Sequence, residues 1–289
     1  MGCLLDQVFK AYGLLAPNTD TDEIIDTQKK VMRLILDNRN NNAPFYGKIV
    51  YESIANSLSC DDPYSSIKKE YNDIALSYEA ECMQLIQASS EPIKNALLIS
   101  VIGNSIDFGA GQKIDLRKEI SNLENYHLDI AAVEELIANI KKAQSIFIIG
   151  DNCGEIVFDK LLIRYLKNQF PNKQFTYSVR DGPIINDATM DDAKYVGMDS
   201  VCNVVKSSQS PGVIFEESSV LFKRIMKDAD LVISKGQGNF ESLVDFKLLN
   251  PDQNFYFLLK IKCKLMEIIF KKPIGEYILI NQKNIKIPF

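Results

Sequence analysis

Ser145-Ile146-Phe147-Ile148-Ile149-Gly150-Asp151-Asn152-Cys153-Gly154-Glu155-Ile156-Val157-Phe158-Asp159 is the stretch whose reading decides the fold. Ile146 to Ile149 form an unbroken apolar run, rich in Ile, which suits a strand covered on both faces. The run stops abruptly in polar and acidic residues, and Gly150 and Gly154 permit a sharp turn in which backbone approaches a ligand. The spacing that follows predicts a helix over 154–169. Ligands in open parallel sheets sit at the carboxyl ends of strands, so chemistry is expected here.

The same rhythm continues downstream. A short strand at 174–179 leads into a loop at 180–189, a helical turn from Asp191 to Tyr195, a strand from Ser200 to Val205 and a helix from Ser218 to Asp228. Leu231 to Ser234 reads as a strand that ends in Lys235-Gly236-Gln237-Gly238-Asn239, and 254–259 as one more. Strands alternating with helices predict a doubly wound, mainly parallel sheet. Upstream the pattern is helical. Leu4, Val8 and Tyr12 recur near helical spacing, and Asp22 precedes an apolar-periodic run that the polar turn Asn38–Asn42 closes. Further helices are expected at 46–58, at 64–88 after Asp61-Asp62-Pro63-Tyr64, and from Glu91-Pro92 onward. An amphipathic helix from Asp129 to Lys142 feeds the central strand. The fold class is therefore α/β, with a helical domain over 1–125 packed on an α/β/α domain over 126–289.

Composition narrows the function. The 46% hydrophobic and 25% charged content is that of an ordinary globular enzyme, and a net charge of −5 gives no basic field for nucleic acid or anionic lipid. The six cysteines form no CxxC pair, so neither a zinc knuckle nor a disulfide scaffold is expected. No run of about 18 apolar residues and no charged-then-apolar leader is present, which predicts a cytoplasmic protein without a membrane span. A Ser-His-Asp triad or multi-histidine metal site would have to be built around the single histidine, His127, in a polar loop-like stretch. Any metal is expected on oxygen ligands.

Three strand ends deliver polar clusters: Asp151-Asn152 with Glu155 and Asp159, then Asn186-Asp187, then Lys235 with Asn239. In a parallel sheet they converge on one edge. Carboxylates with amide oxygens make a hard-cation site, and a lysine beside glycines suits a phosphate, a combination fitted to phosphoryl transfer. Each piece also has a plainer reading. Asp151-Asn152 can be an Asx turn that caps a helix, Gly236-Gln237-Gly238 a tight turn, and Glu155 and Asp159, four apart, a solvent-facing helix edge. Residues 97–108 are an apolar segment ending in Asn104 and Asp107, which would share a helix face or cap a helix end.

Taken together, 150–159, Gly182-Pro183-Ile184-Ile185-Asn186-Asp187-Ala188-Thr189 and Ser234-Lys235-Gly236-Gln237-Gly238-Asn239 resemble the DUF89 family of metal-dependent damage-control phosphatases, in its stand-alone archaeal and bacterial branch. Gly103 to Phe108, the Asp62-Pro63-Tyr64 helix start and Leu259-Lys260-Ile261-Lys262-Cys263 look like further family segments, so the resemblance runs from Cys3 to about Ile280. It implies an N-terminal helical domain on a Rossmann-like domain with one divalent ion at the seam. Asp151, Asn152 and Asp187 would then be the metal ligands, and Lys235 would contact the phosphate. Asn104 and Asp107 would line the pocket from the helical side, Gly236 and Asn239 would complete the substrate site, and Glu155 would support it. Relatives of this branch commonly begin with a CxxC pair before Leu-Leu. Here Cys3-Leu4-Leu5 keeps only the second cysteine.

The expected activity is hydrolysis of small phosphomonoesters, sugar phosphates or damaged phosphometabolites, with Mg²⁺, Mn²⁺, Co²⁺ or Ni²⁺ as cofactor and Asp151, Asp187 and Lys235 as the catalytic set. Two other readings compete. A Rossmann-like methyltransferase or nucleotide-dependent enzyme lacks its glycine fingerprint here. A non-catalytic metabolite- or metal-binding protein would make the acidic cluster structural.

Overall fold

The computed structural model describes residues 2–39, 41–103, 116–245 and 253–286. The run at 145–149 is strand β1 (Ser145–Ile149), and it lies at the centre of a six-stranded sheet with β2 (Gln174–Val179), β3 (Asn203–Lys206), β4 (Leu231–Lys235), β5 (Asn254–Lys260) and β6 (Tyr277–Asn281). The strand order is β3-β2-β1-β4-β5-β6. Five strands run parallel and β6 is antiparallel on β5. In register, Ile148 stands between Tyr177 of β2 and Ile233 of β4. The order reverses between β1 and β4, the switch point at which an open α/β sheet has a crevice at its strand ends.

Both faces of β1 are covered, which is why its sequence is apolar without alternation. Ile146 and Ile148 join one core, while Phe147 and Ile149 join the other. The first core is closed by α6 (Pro92–Ile102), α8 (Ile130–Lys142) and α9 (Glu155–Gln169). The second is closed by α11 (Val220–Asp228), α12 (Gln237–Leu243) and α13 (Lys264–Phe270). Every residue from Ala96 to Ile102 is buried. That explains a helix apolar on all sides, because α6 is wedged against α9. A proline in its first turn starts α6, and the Asp129 carboxylate, accepting from the Ala132 N–H, starts α8.

The remaining helices are α1 (Gly2–Leu15), α2 (Thr21–Asp37), α3 (Ala43–Ser57), α4 (Ser65–Ser77), α5 (Glu79–Ala88), α7 (Leu116–Ser121) and α10 (Met190–Tyr195). The first three close around a core of their own, built from Val8, Ala11, Tyr12, Val31, Ile35, Val50 and Ile54. The sheet core takes in Ala75, Cys82 and Ile86 of α4 and α5 as well as α6, so it runs continuously across residue 125.

Several elements differ from the sequence reading. The helix expected over 64–88 is two, α4 and α5, which break at Tyr78 (φ −98°, ψ 0°). The cap of α2 is Asp20, whose carboxylate accepts from the Asp22 N–H. Gly236 to Asn239 begins a helix, α12, and is no isolated turn. Helix α13 and strand β6 were not anticipated. Among the described residues no helix is long and apolar enough to cross a membrane.

Candidate active site

The carboxyl end of β1 passes directly into Asp151 and Asn152, and the loop after β2 returns beside it. Asn152 and Asp187 pair across an isolated antiparallel bridge. The Cys153 N–H donates to the Asn186 carbonyl (2.8 Å), and the Ala188 N–H to that of Asp151 (2.8 Å). Two turns far apart in sequence are thereby stitched together, and Asp151, Asn152, Asn186 and Asp187 share one wall of a cavity of about 430 Å³. Gly236 closes this wall from β4. At φ +80°, a Cβ there would stand 1.9 Å from the Asp151 carboxylate, so only glycine admits the approach. Across the cavity α1 forms a roof that presents Asp6, Gln7 and Lys10.

Beneath the wall lies a buried ionic cluster. The Lys235 ammonium donates to Glu155 Oε1 (2.7 Å), Asp159 Oδ1 (2.5 Å) and Ser100 Oγ (2.8 Å). Ser100 Oγ and the Tyr177 hydroxyl donate to the two Asp159 oxygens at 2.5 and 2.8 Å. Glu155, Asp159 and Lys235 are all 0% exposed. The plain reading of Glu155 and Asp159 as a solvent-facing edge therefore fails. Burial pushes the Glu155 carboxyl up to about 7; Lys235 opposes the shift, and Asp159 and Asp151 add to it. Burial alone would lower the Lys235 pKa, but Asp159 and Glu155 raise it above the ordinary value, so the ammonium stays charged.

A family model described as the damage-control phosphatase ARMT1-like domain matches residues 1–278. The chain belongs to this family. A damage-control phosphatase of Pyrococcus horikoshii is 30% identical over 267 residues, 90% of each chain. An uncharacterized protein of Methanocaldococcus jannaschii is 30% identical over 295 residues, covering 97% of this chain and 93% of its own. The crystal structure of a DUF89 family protein from Pyrococcus horikoshii superposes with a TM-score of 0.80 at 27% identity, covering 97% of this chain and 96% of that one. Membership in the damage-control phosphatase family and the name of the first of these relatives support a phosphatase enzyme.

Within this family member the anticipated site residues separate into two groups. Asp151, Asn152 and Asp187 meet on the cavity wall. Lys235, expected on the phosphate, does not line the cavity; its protons are spent on the cluster below. Asn239 is likewise buried, donating to the Gly150 and Lys235 carbonyls and accepting from Arg180. Asn104 and Asp107 lie outside the described residues. Cys153 is fully buried and burial drives its thiol pKa well above the usual value, which removes it as a nucleophile. His127 is exposed.

Three residues at or behind this wall have no assigned role in the sequence reading. Arg180, 1% exposed, donates to Asp187 Oδ2 (2.5 Å), Asp151 Oδ1 (3.3 Å) and Asn239 Oδ1 (3.0 Å), holding both carboxylates in one frame. Lys262 lines the cavity on the wall side and Lys10 on the roof. Lys262 acts on Asp187 as a nearby positive charge. Lys262 lies in the family-like segment 259–263, which assigned it no role, while Arg180 and Lys10 sit in segments of ordinary composition; all three gain meaning only by convergence.

The wall suits a hard cation. Hydrogen bonds engage Nδ2 of Asn152 and Oδ2 of Asp187, leaving an oxygen on each without a hydrogen bond among the described residues. Burial pushes the Asp187 carboxyl up to about 7; Arg180 and Lys262 oppose the shift, and Asp151 adds to it. Among the described residues no group of three or more His, Cys, Asp and Glu is arranged to hold a metal ion; the oxygen donors on this wall are the Asp151 and Asp187 carboxylates and the Asn152 amide.

Proposed function

We propose that the chain is a divalent-metal-dependent phosphatase of small phosphomonoesters, sugar phosphates or damaged phosphometabolites, acting in the cytoplasm. One observation carries the reading: Asp151, Asn152 and Asp187 share a cavity wall with Lys262, while Lys10 looks in from the roof. Acidic oxygen donors beside lysines at a strand switch point are what a bound phosphate with its counter-cation requires. Asp151, Asn152 and Asp187 would hold the ion, with Mg²⁺, Mn²⁺, Co²⁺ and Ni²⁺ as candidates. A divalent ion there supplies charge neutralisation to the phosphoryl group and to the developing transition state.

The chain's own groups do the rest. Arg180 fixes the angle between the two carboxylates. Lys262 and Lys10 draw the phosphate dianion to that wall, and Lys262 takes the phosphate contact first assigned to Lys235. Asp151 or Asp187 aligns the attacking oxygen. Gly236 lets β4 approach Asp151, and Asn239 anchors the guanidinium of Arg180. Asn104 and Asp107 remain substrate-side candidates from the sequence alone. A cavity of about 430 Å³ takes a phosphorylated sugar-sized metabolite and excludes a folded macromolecule.

The test is hydrolysis of p-nitrophenyl phosphate and a panel of sugar phosphates by chelator-stripped protein reloaded with each metal, beside Asp187→Asn. Metal-dependent turnover, reduced at least about 100-fold in Asp187→Asn, is expected. Turnover that ignores both metal and variant would overturn the site.

A further inference from the structure

Asn72 lies in α4, on none of the strands that build the wall, and is 0% exposed. Its Oδ1 accepts the Gly154 N–H at 2.7 Å, two residues beyond Asn152. Its Nδ2 donates to Asp192 Oδ1 at 3.2 Å. The other oxygen of Asp192 accepts the Thr189 N–H (2.9 Å) and hydroxyl (2.7 Å), two residues beyond Asp187. Lys68, on the same helix as Asn72, holds this carboxylate at 3.4 Å and Asp62 at 2.7 Å. One carboxylate and one amide thus tie the turn that carries Asn152 to the turn that carries Asp187.

We propose that Asn72 and Asp192 are positioning residues that set the spacing of the metal-binding oxygens, a role that rests on the metal site proposed above. The physical reason lies in Gly154. The turn at 150–154 leaves its N–H pointing away from the cavity toward α4, where no backbone acceptor satisfies it. A buried donor of this kind needs a partner, and Asn72 supplies one that cannot rotate, because Asp192 fixes the amide's other end. Asp192 cannot drift either, since Thr189 and Lys68 occupy its second oxygen. With this clamp in place, Asn152 and Asp187 meet the ion at a spacing set before it arrives, and binding does not have to order them. The helical segment thereby contributes to the site without any atom in the cavity wall from α4.

The experiment is Mn²⁺ titration of chelator-stripped protein, followed by calorimetry and by the electron paramagnetic resonance signal of free Mn²⁺, on the wild type, Asn72→Ala and Thr189→Val. Met226→Ala, in the α11 core away from the cavity, serves as a variant that lowers the melting temperature by packing loss alone. Asn72→Ala is expected to weaken Mn²⁺ binding about 10- to 100-fold, and Thr189→Val by a smaller factor in the same direction. Met226→Ala keeps the wild-type affinity, and excess Mn²⁺ restores turnover in Asn72→Ala with an unchanged KM. If Asn72→Ala does not fold, Thr189→Val decides. A wild type that binds while Asn72→Ala or, failing it, Thr189→Val binds equally well overturns the positioning role alone. Loss of affinity in Met226→Ala in proportion to its lowered melting temperature overturns it as well. A wild type that takes up no Mn²⁺ overturns the metal reading and this role with it.

Discussion

Lys235 has exchanged water for two carboxylates and a serine, and this exchange fixes what its loss would do. A buried ammonium with good partners contributes little net stability, but removing it leaves Glu155 and Asp159 adjacent, buried and without their cation. Lys235→Met is therefore expected to destabilise the fold by about 3–5 kcal/mol in denaturant titration. Lys262 stands in the opposite situation, half-buried on the cavity wall with its charge felt by Asp187. Lys262→Ala is expected to keep the wild-type unfolding midpoint and to lower kcat/KM about 10- to 100-fold, the worth of a charge-assisted hydrogen bond. If instead Lys262→Ala unfolds early and Lys235→Met only raises KM, the two lysines have been assigned the wrong way round. The sequence supports Lys235 because it sits in a glycine-rich strand end. It cannot reveal that Ser100, Glu155 and Asp159, drawn from α6 and α9, meet the ammonium first.

At the scale of elements, the central strand is held at its beginning as well as at its functional end. Asp230, just before β4, accepts the Gln144 and Ser145 N–H groups (2.9 Å each) and the Ser145 hydroxyl (3.0 Å), while its own N–H donates to Ser145 Oγ. Burial pulls its carboxyl upward, but these donors outweigh it and hold the pKa below the ordinary carboxylate value. A group depressed in the folded state stabilises fully above its unfolded pKa and loses that contribution as pH falls through its folded pKa. Asp230→Ala should therefore melt below the wild type at pH 7. The gap should stay constant down to about pH 4 and close only below it, as thermal melts across pH 7 to 2 will read. A gap that persists undiminished at pH 2 would assign the effect to packing. Elements also explain what was legible. Strand β1, helix α9 and the Asp151 and Asp187 turns were readable because burial on both faces writes a continuous apolar run and a strand end writes an abrupt polar stop. Helices α12 and α13, seven residues each, span barely two turns and leave too little periodicity to read. The break at Tyr78 carries neither glycine nor proline; tertiary packing of α4 and α5 against α9 sets it. Arg180, Lys262 and Asn72 each reach the site alone from a separate element, and no spacing rule joins them.

At the scale of the whole chain, two bodies of unequal strength meet over the cavity. The sheet and its flanking helices share large cores on both faces, whereas α1, α2 and α3 rest on one small core and touch the rest chiefly through α3 against α12 and the Lys48–Glu217 pair (2.7 Å). That pair is partly exposed, so it adds little. Opening free energy follows local burial, and small satellite cores open before large ones. Amides of α1–α3 should therefore exchange with solvent through a partial opening well below the free energy of global unfolding, while those of β1, β4 and β5 exchange only with the whole molecule. Because α1 roofs the cavity through Gln7 and Lys10, a ligand bound on the Asp151 wall that also touches the roof stabilises the closed arrangement by its binding free energy. Hydrogen exchange read by mass spectrometry, with and without Mn²⁺ plus inorganic phosphate, is expected to show slowing concentrated in residues 2–15 and at the 150–154 and 184–189 turns, with β6 unchanged. Slowing at the turns alone would mean that the roof does not hold the ligand. Uniform slowing across the chain would mean that α1–α3 open only together with the sheet.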